Sequence, residues 1–410
     1  DLHKAIRRQR QMCIRDRCMV FVMTACAENS SQSEKSQPAE QTTVQPTTMS
    51  AEEINDRKLD KFISDMTLEE KVGQMFFVRC PDEGAVQQVS EYNIGGYILF
   101  GRDFDGKTKD EVVDDIHSYQ NEADIPLLIG VDEEGGTVVR VSSNPNLRET
   151  PFLSPKDTYA DGGWDAVKQD AEEKADLLLS LGINVNLAPV CDMTSDEYGF
   201  MYDRSFSSDV DMENRYVRTV VETSKSKKLG TVLKHFPGYG NNSDTHTGIA
   251  YDNRDYSEFE NTDFKPFYQG IESGADCILV SHNIVNCMDS EYPASLSQKV
   301  HDILRNEFKF DGVIMTDDLI MDAITDFTGD EAAAVTAAKC GNDLLCCSSV
   351  DTQYPAVLEA VQNGEISEAQ VDASVKRILK WKQNLGIFNI DTYQKKVKST
   401  EPTDTVGSEE

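Results

Sequence analysis

The chain has 410 residues, 39% hydrophobic content and a formal net charge of −32, enough apolar material for one large domain or two ordinary ones. Such an acidic chain repels polyanions over the Debye length, which excludes nucleic acid and anionic lipid surfaces as partners and favours a neutral or locally held substrate. Its ten cysteines include no C-x-x-C pair and read as small buried apolar side chains, not as a disulfide framework or a zinc site.

From the N-terminus, residues 1–17 carry Lys4, Arg7, Arg8, Arg10, Arg15 and Arg17, and the apolar CMVFVMTA that follows ends in small residues before Cys26. This pattern resembles the end of a bacterial lipoprotein signal peptide, whose removal would leave a lipid-bearing Cys26 at the front. Loss of residues 1–25, six cations against two anions, would take the formal charge from −32 to −36. Residues 26–50 are Ser, Thr, Gln and Pro with few large apolar side chains; they cannot bury enough surface to offset chain entropy and are expected to form a tether. The expected location is the bacterial cell surface, on the outer face of the membrane, with the lipid anchor as the membrane contact.

Order is expected from residue 51 to residue 393. Thr67 and Glu70 have capping-box spacing and predict a helix start just before an apolar run. Eight short apolar runs follow: GQMFFV, IGGYILF, PLLIGV, INVNLAPV, GTVL, DCILVS, GVIMT and DLLCC. Helical patterns separate them, at 171–182, at 212–228 and, closing the series, near 367–384. Runs apolar at nearly every position suit strands buried on both faces, so the chain is predicted to be α/β, a single (β/α)8 TIM-type barrel. A doubly wound sheet is the alternative, without a G-x-G-x-x-G to support a dinucleotide version. Residues 394–410 read as a frayed tail.

In such a barrel the chemistry sits at the C-terminal ends of the strands. Just past the apolar runs come Asp132, Asp192, the pair Lys234 and His235, His282 and Asp317. Helix capping alone would not favour Lys and His there. A metal-dependent hydrolase would want histidine or carboxylate ligands early in the chain, whereas the first two runs end in Arg79 and Arg102 and no H-E-x-x-H occurs; no metal or other cofactor is expected. Glycoside chemistry needs a carboxylate under the anomeric carbon and a proton donor on the leaving-group side. Asp317 suits the first. His246, in the long KHFPGYGNNSDTHT segment, suits the second, because an imidazole gives and takes a proton near neutrality, with Asp244 two residues away to orient it.

The combination K-H-F-P-G-x-G at 234–240, D-T-H at 244–246 and T-D-D-L-x-M at 316–321 resembles glycoside hydrolase family 3, and within it the NagZ-type β-N-acetylglucosaminidases. The likeness continues in MTLEEKVGQM at 66–75, GVDEEGGTVVR at 130–140, NVNLAPVCD at 184–192, DRSF at 203–206, GND at 341–343 and NLGIF at 384–388. It implies a retaining, exo-acting enzyme that releases terminal β-linked GlcNAc from a glycan or muropeptide fragment. Asp317 would be the nucleophile forming a covalent glycosyl-enzyme, His246 the acid/base and Asp244 its partner. It also implies substrate binding by Asp132, Arg140, Arg204, Lys234 and His235, with His282 and Asp192 in support. Tyr239 stands where the family often has His, Thr137 where a cation is common, and the second α/β domain of longer members is not expected. The alternatives are a phosphorylase acting on the same sugar, a β-glucosidase of the same family, and a sugar-binding lipoprotein without catalysis.

Overall fold

A computed structural model of the chain describes residues 49–242, 245, 248–328 and 330–395, without the side chains of 330 and 331. The signal region with Cys26, the tether up to 48, the catalytic candidates Asp244 and His246, and the tail beyond 395 lie outside the described residues.

Eight strands carry the architecture: β1 (Phe76–Arg79), β2 (Gly96–Leu99), β3 (Leu128–Val131), β4 (Val185–Asn186), β5 (Gly230–Phe236), β6 (Cys277–Val280), β7 (Val313–Thr316) and β8 (Leu345–Cys347). They form one parallel sheet in the order β8-β1-β2-β3-β4-β5-β6-β7, so every spatial neighbour except β8 and β1 is also the next strand in the chain. The ring closes between β7 and β8 through a parallel bridge from Met315 to Leu344. Side chains reinforce this seam, since Asp343 accepts from the Ile314 amide at 2.9 Å and the Thr316 hydroxyl accepts from the Cys346 amide at 3.0 Å. The expected single (β/α)8 barrel is the observed fold.

Alternation along each strand sorts the residues into two shells. Phe77, Ile98, Leu128, Val185, Val232, Cys277, Leu279, Val313, Met315 and Cys346 form one buried cluster, the filling of the barrel, and Ile378 and Trp381 of the helix Glu368–Asn384 join it. The other parity, including Phe76, Val78, Tyr97, Leu99, Ile129, Leu345 and Cys347, packs outward against the helices. Each large apolar side chain fully buried in this way contributes about 1.5–3 kcal/mol. A Cβ on Gly130 would lie 2.5 Å from the Phe77 ring, so a side chain there would displace that filling.

The helix Leu68–Gln74 begins at the Thr67–Glu70 capping box, with both reciprocal bonds present. The helix Pro155–Ser180 covers the predicted 171–182 pattern up to Ser180, with Leu181 as its C-cap, and is kinked at Gly162 and Gly163. Two expectations shift. The GTVL strand extends through Lys234 and His235 to Phe236, because both polar side chains find buried partners, and the INVNLAPV run is regular only at Val185 and Asn186. Pro189 has no amide to give there, and pairing resumes at a bridge between Val190 and Lys234. Cys80, Cys191, Cys277, Cys340, Cys346 and Cys347 are buried free thiols, while Cys287 is exposed.

Candidate active site

The parity that fills the barrel also builds its upper layer. Two or four residues beyond inward apolar positions come Arg79, Phe100, Asp132, Lys234 and Asp317, and all five line one cleft of about 350 Å³ with Glu134, Arg140, Arg204, His235 and Asp318. Asp132, Arg140, Arg204, Lys234, His235 and Asp317, drawn from four separate stretches of the sequence, are thus brought to one cavity. A second cavity, of about 240 Å³, is lined by Phe62, Met66, Val89, Ile94, Ile125 and Tyr393. It lies by the N-terminal ends of β1 to β3, away from the ionisable strand ends.

Lys234 is 2% exposed. Its Nζ lies 2.6 Å from Asp132 Oδ1 and 2.6 Å from Glu134 Oε1. Arg204 grips Glu134 with two bonds, Nε to Oε2 at 3.0 Å and Nη2 to Oε1 at 2.8 Å. Burial alone would raise the Glu134 carboxyl, but the Lys234 and Arg204 charges outweigh it and hold the group far below the usual carboxylate range. Burial likewise opposes the charge on Lys234, and Asp132 and Glu134 reverse that, leaving the ammonium above its ordinary value.

Arg204 Nη2 also meets His235 Nε2 at 3.3 Å. A guanidinium only donates, so Nε2 accepts and the ring proton sits on Nδ1, which donates to Asp192 Oδ2 at 2.6 Å. The same Asp192 carboxylate accepts the His235 amide at 2.9 Å and the Tyr239 amide at 2.7 Å. Asp192 therefore fixes both the tautomer of His235 and the start of the segment after β5. The Lys234–His235 peptide bond is cis, and both side chains line the cleft.

The loop after β3 divides its three acids by alternation. Asp132 and Glu134 face the cleft, whereas Glu133 turns away and accepts from the amides of Arg140 at 2.9 Å, Val141 at 2.7 Å and Ser142 at 3.3 Å, and from the Ser142 hydroxyl. This returns the loop so that Arg140 re-enters the cavity. The turn itself needs glycine: Gly135 has φ +103°, and a Cβ there would lie 2.2 Å from the Leu153 carbonyl oxygen. Thr137 is exposed at the tip.

Asp317 follows β7. Its amide donates to Val280 O at 3.2 Å, and its Oδ1 accepts from the Asp318 amide at 2.9 Å. Asp318 accepts from the Ser348 hydroxyl at 2.6 Å, and its burial raises its carboxyl. His282 lies beneath, fully buried, bridging Ser295 Oγ at 2.7 Å and the Asp318 carbonyl at 3.0 Å, so it supports the β7 turn and does not line the cleft.

The segment holding Asp244 and His246 in sequence has both flanks secured. Asn241 accepts from the Thr194 hydroxyl at 2.7 Å, Asn242 donates to Asp252 at 2.7 Å, and Arg254 binds Asp252 and Asp263. Tyr239, in the place where the resemblance expects His, is buried and its hydroxyl meets the Thr245 hydroxyl at 2.5 Å. Among the described residues no three His, Cys, Asp or Glu side chains converge as metal ligands.

Sequence reasoning missed Glu134, Arg79 and Phe100 as cleft residues. Glu134 was signalled by its i, i+2 relation to Asp132. Arg79 and Phe100 share the parity of Phe77 and Ile98.

The profile of the Glycosyl hydrolase family 3 N terminal domain matches residues 67–381. The β-hexosaminidase of Hydrogenovibrio crunogenus is 31% identical over 286 residues, covering 68% of this chain and 79% of that protein. That of Nitrosomonas eutropha is 32% identical over 273 residues, 65% of this chain and 77% of that one. Among solved structures, a glycoside hydrolase family 3 β-N-acetylglucosaminidase from Paenibacillus sp. str. FPU-7 superposes with a TM-score of 0.74 at 29% identity, over 84% of this chain. This chain spans 66% of the length of that one. A family member from Mycobacterium smegmatis superposes with a TM-score of 0.71 at 26% identity, over 78% of this chain and 98% of that one.

Proposed function

The chain belongs to glycosyl hydrolase family 3 and is a glycoside hydrolase, and from that premise we propose that it is a retaining, exo-acting β-N-acetylglucosaminidase. The observation that carries this reading is the convergence of Asp317 with Asp132, Arg140, Arg204, Lys234 and His235 on one cleft at the C-terminal end of the barrel. The β-hexosaminidase relatives and the β-N-acetylglucosaminidase structure support the choice of sugar.

In the first half-reaction the Asp317 carboxylate attacks the anomeric carbon while the bond to the leaving oxygen breaks, and His246 gives that oxygen its proton. The product is a glycosyl ester on Asp317. In the second, His246 takes a proton from water, the water oxygen bonds to the anomeric carbon, and Asp317 leaves as carboxylate, so two displacements retain configuration. Asp244 orients the His246 ring. Asp132, paired with Lys234, accepts from sugar hydroxyls, while Lys234, Arg204, Arg140 and His235 fix the ring from other sides. The paired groups are prearranged, so little reorganisation is needed when the sugar enters. We further propose that Cys26 carries a lipid that holds the enzyme on the outer cell surface. Unmodified Cys26 by mass spectrometry of a native membrane fraction would refute this.

The test of the central reading is turnover of nitrophenyl β-N-acetylglucosaminide beside nitrophenyl β-glucoside. Strong preference for the N-acetyl sugar is expected, with no turnover in Asp317→Asn and, in His246→Ala, a loss concentrated on unactivated leaving groups. Equal turnover of both sugars, or full activity without Asp317, would sink it.

A further inference from the structure

Arg254 does not line the catalytic cleft; it borders a separate cavity of about 600 Å³, with Asn241, Asn242 and Asp263. All three of its guanidinium nitrogens are engaged. Nε meets the two oxygens of Asp252 at 3.1 and 3.0 Å, and Nη2 reaches Asp252 Oδ2 at 2.7 Å and the Gly238 carbonyl at 3.1 Å. Nη1 lies 3.0 Å from each oxygen of Asp263. The guanidinium carbon sits 4.2 Å from the centroid of the Phe259 ring. Asp252 and Asp263 are 1% and 3% exposed, and among the described residues Arg254 is the one cation paired with either.

This clasp joins the chain on the two sides of His246. Gly238 comes just after β5, and Asp252 lies on the return, where Tyr251 and Asp252 pair in parallel with Ile284 and Val285 beyond β6. Asp252 Oδ2 also takes the Asn242 side-chain amide at 2.7 Å, and Oδ1 takes the Arg254 backbone amide at 2.9 Å. Both glycines of K-H-F-P-G-x-G press on the same groups. A Cβ on Gly238, at φ +116°, would run into Asp263 Oδ1, and one on Gly240, at φ +54°, would lie 2.7 Å from Arg254 Cζ. Departure and return are therefore packed on one guanidinium, with no room for a side chain between.

We propose that Arg254 is a positioning residue for the acid/base: by tying Gly238, Asn242 and Asp252 to Asp263 it sets where His246 meets the leaving oxygen. This rests on the reading of His246 as acid/base. Such a group works only within about 2.6–3.2 Å of the atom it serves, and a misplacement of about 1 Å caused from a distance can cost about 100-fold. Without the guanidinium, two buried carboxylates face each other unpaired, and the anchors at Gly238 and Asn242 are lost together. Asp317 stands at the end of β7, and Asp132, Glu134, Lys234 and Arg204 hold one another. Loss of Arg254 therefore falls on proton transfer first.

The test is how the loss depends on the leaving group. In Arg254→Gln, kcat/KM on a GlcNAc disaccharide, whose leaving oxygen needs a proton, is expected to fall about 10- to 100-fold. On dinitrophenyl β-GlcNAc, whose phenolate leaves unprotonated, kcat/KM should stay within about threefold of wild type. There kcat falls instead, because water attacks the Asp317 ester without a placed base. Sodium azide should restore it: an azide nitrogen bonds to the anomeric carbon as the bond to Asp317 breaks, and glycosyl azide accumulates. Arg254→Lys keeps the charge but cannot span all three partners, so it should show a smaller loss of the same pattern; it serves where Arg254→Gln fails to fold. Added to His246→Ala, Arg254→Gln should change the disaccharide rate by less than about twofold, since no acid is left to place. Equal losses on both substrates in the Arg254 variants, or a loss that adds in full to that of His246→Ala, overturn the proposal and make the clasp a folding element. His246→Ala alone separates the two claims. An equal loss there on both leaving groups removes the acid/base reading and the proposal with it, whereas a loss concentrated on the disaccharide in His246→Ala, without one in the Arg254 variants, removes the positioning role only.

Discussion

Replacing Glu134 by Gln tests whether the cleft is held together by the carboxylate that sequence reading overlooked. In the native protein this group takes one bond from Lys234 at 2.6 Å and two from Arg204 at 2.8 and 3.0 Å, with its side chain 2% exposed. An amide can accept only through one oxygen and turns its own N–H groups toward cations. With the amide oxygen in the place of Oε1, Lys234 and Arg204 Nη2 keep a neutral acceptor, while Arg204 Nε faces an N–H where Oε2 stood. Breaking a buried ionic network by removing one partner costs about 3–5 kcal/mol, and Glu134→Gln is expected toward the lower end because one acceptor survives. A further loss of about 10- to 100-fold in kcat/KM on nitrophenyl β-GlcNAc, roughly 1.4–2.8 kcal/mol, should follow as Asp132 and Arg204 lose their fixed positions. Urea unfolding and steady-state kinetics on the same preparation measure both. A variant within about 1 kcal/mol of wild type with unchanged kcat/KM would refute the argument; lost stability with unchanged kcat/KM would confine Glu134 to folding.

Gly135→Ala forces a Cβ against the Leu153 carbonyl at a φ of +103° and should cost more than about 2 kcal/mol, whereas Gly84→Ala, at φ +77° with nothing near, should cost about 1 kcal/mol; thermal unfolding compares them. Lys382 is buried with Gln74 Oε1 at 2.7 Å as its partner, and burial pushes its ammonium down to about 7. The unfolded chain stays protonated up to about pH 10.4, so it binds the extra proton between pH 7 and that point and this group makes the native state more stable as pH rises through the window. Lys382→Met should therefore stabilise the protein by about 1–3 kcal/mol at pH 7 and below, with the advantage shrinking toward pH 10; a pH-independent difference in urea midpoints would contradict this. Asp192→Asn can offer His235 Nδ1 a donor and so move the ring proton to Nε2, opposite Arg204; nitrogen NMR of His235 should report the changed tautomer, together with a loss of kcat/KM of about tenfold or more.

The barrel was legible because its strands are buried on both faces, which leaves an apolar signature that no neighbouring residue has to explain. Lys234 and His235 were readable as site residues but not as strand, since a polar pair ends an apolar run on paper while in space Asp132, Glu134 and Asp192 satisfy it. Glu134 was lost inside D-E-E-G-G, where composition says turn. The three acids differ only in facing, and facing depends on how β3 enters the loop. Arg79 was considered for what it was not, a metal ligand, although the alternation from Phe77 already aimed it inward. The brevity of β4 followed from Pro189, a residue visible from the start whose effect depends on which neighbour needs its amide.

The seam between β7 and β8 carries a consequence for how the protein comes into being on the ribosome. Pairing of β8 with β1 joins Leu345 to Phe76 and Cys347 to Val78, segments at opposite ends of the barrel sequence. Arg79 and Asp317 stand on opposite sides of the gap that β8 fills. Until that last strand has been synthesised, the nascent chain has an open sheet with two unpaired edges, and no cleft exists for a sugar to enter. Chaperone capture of the unfinished sheet, and the first appearance of activity, should therefore both turn on the emergence of residues 345–347.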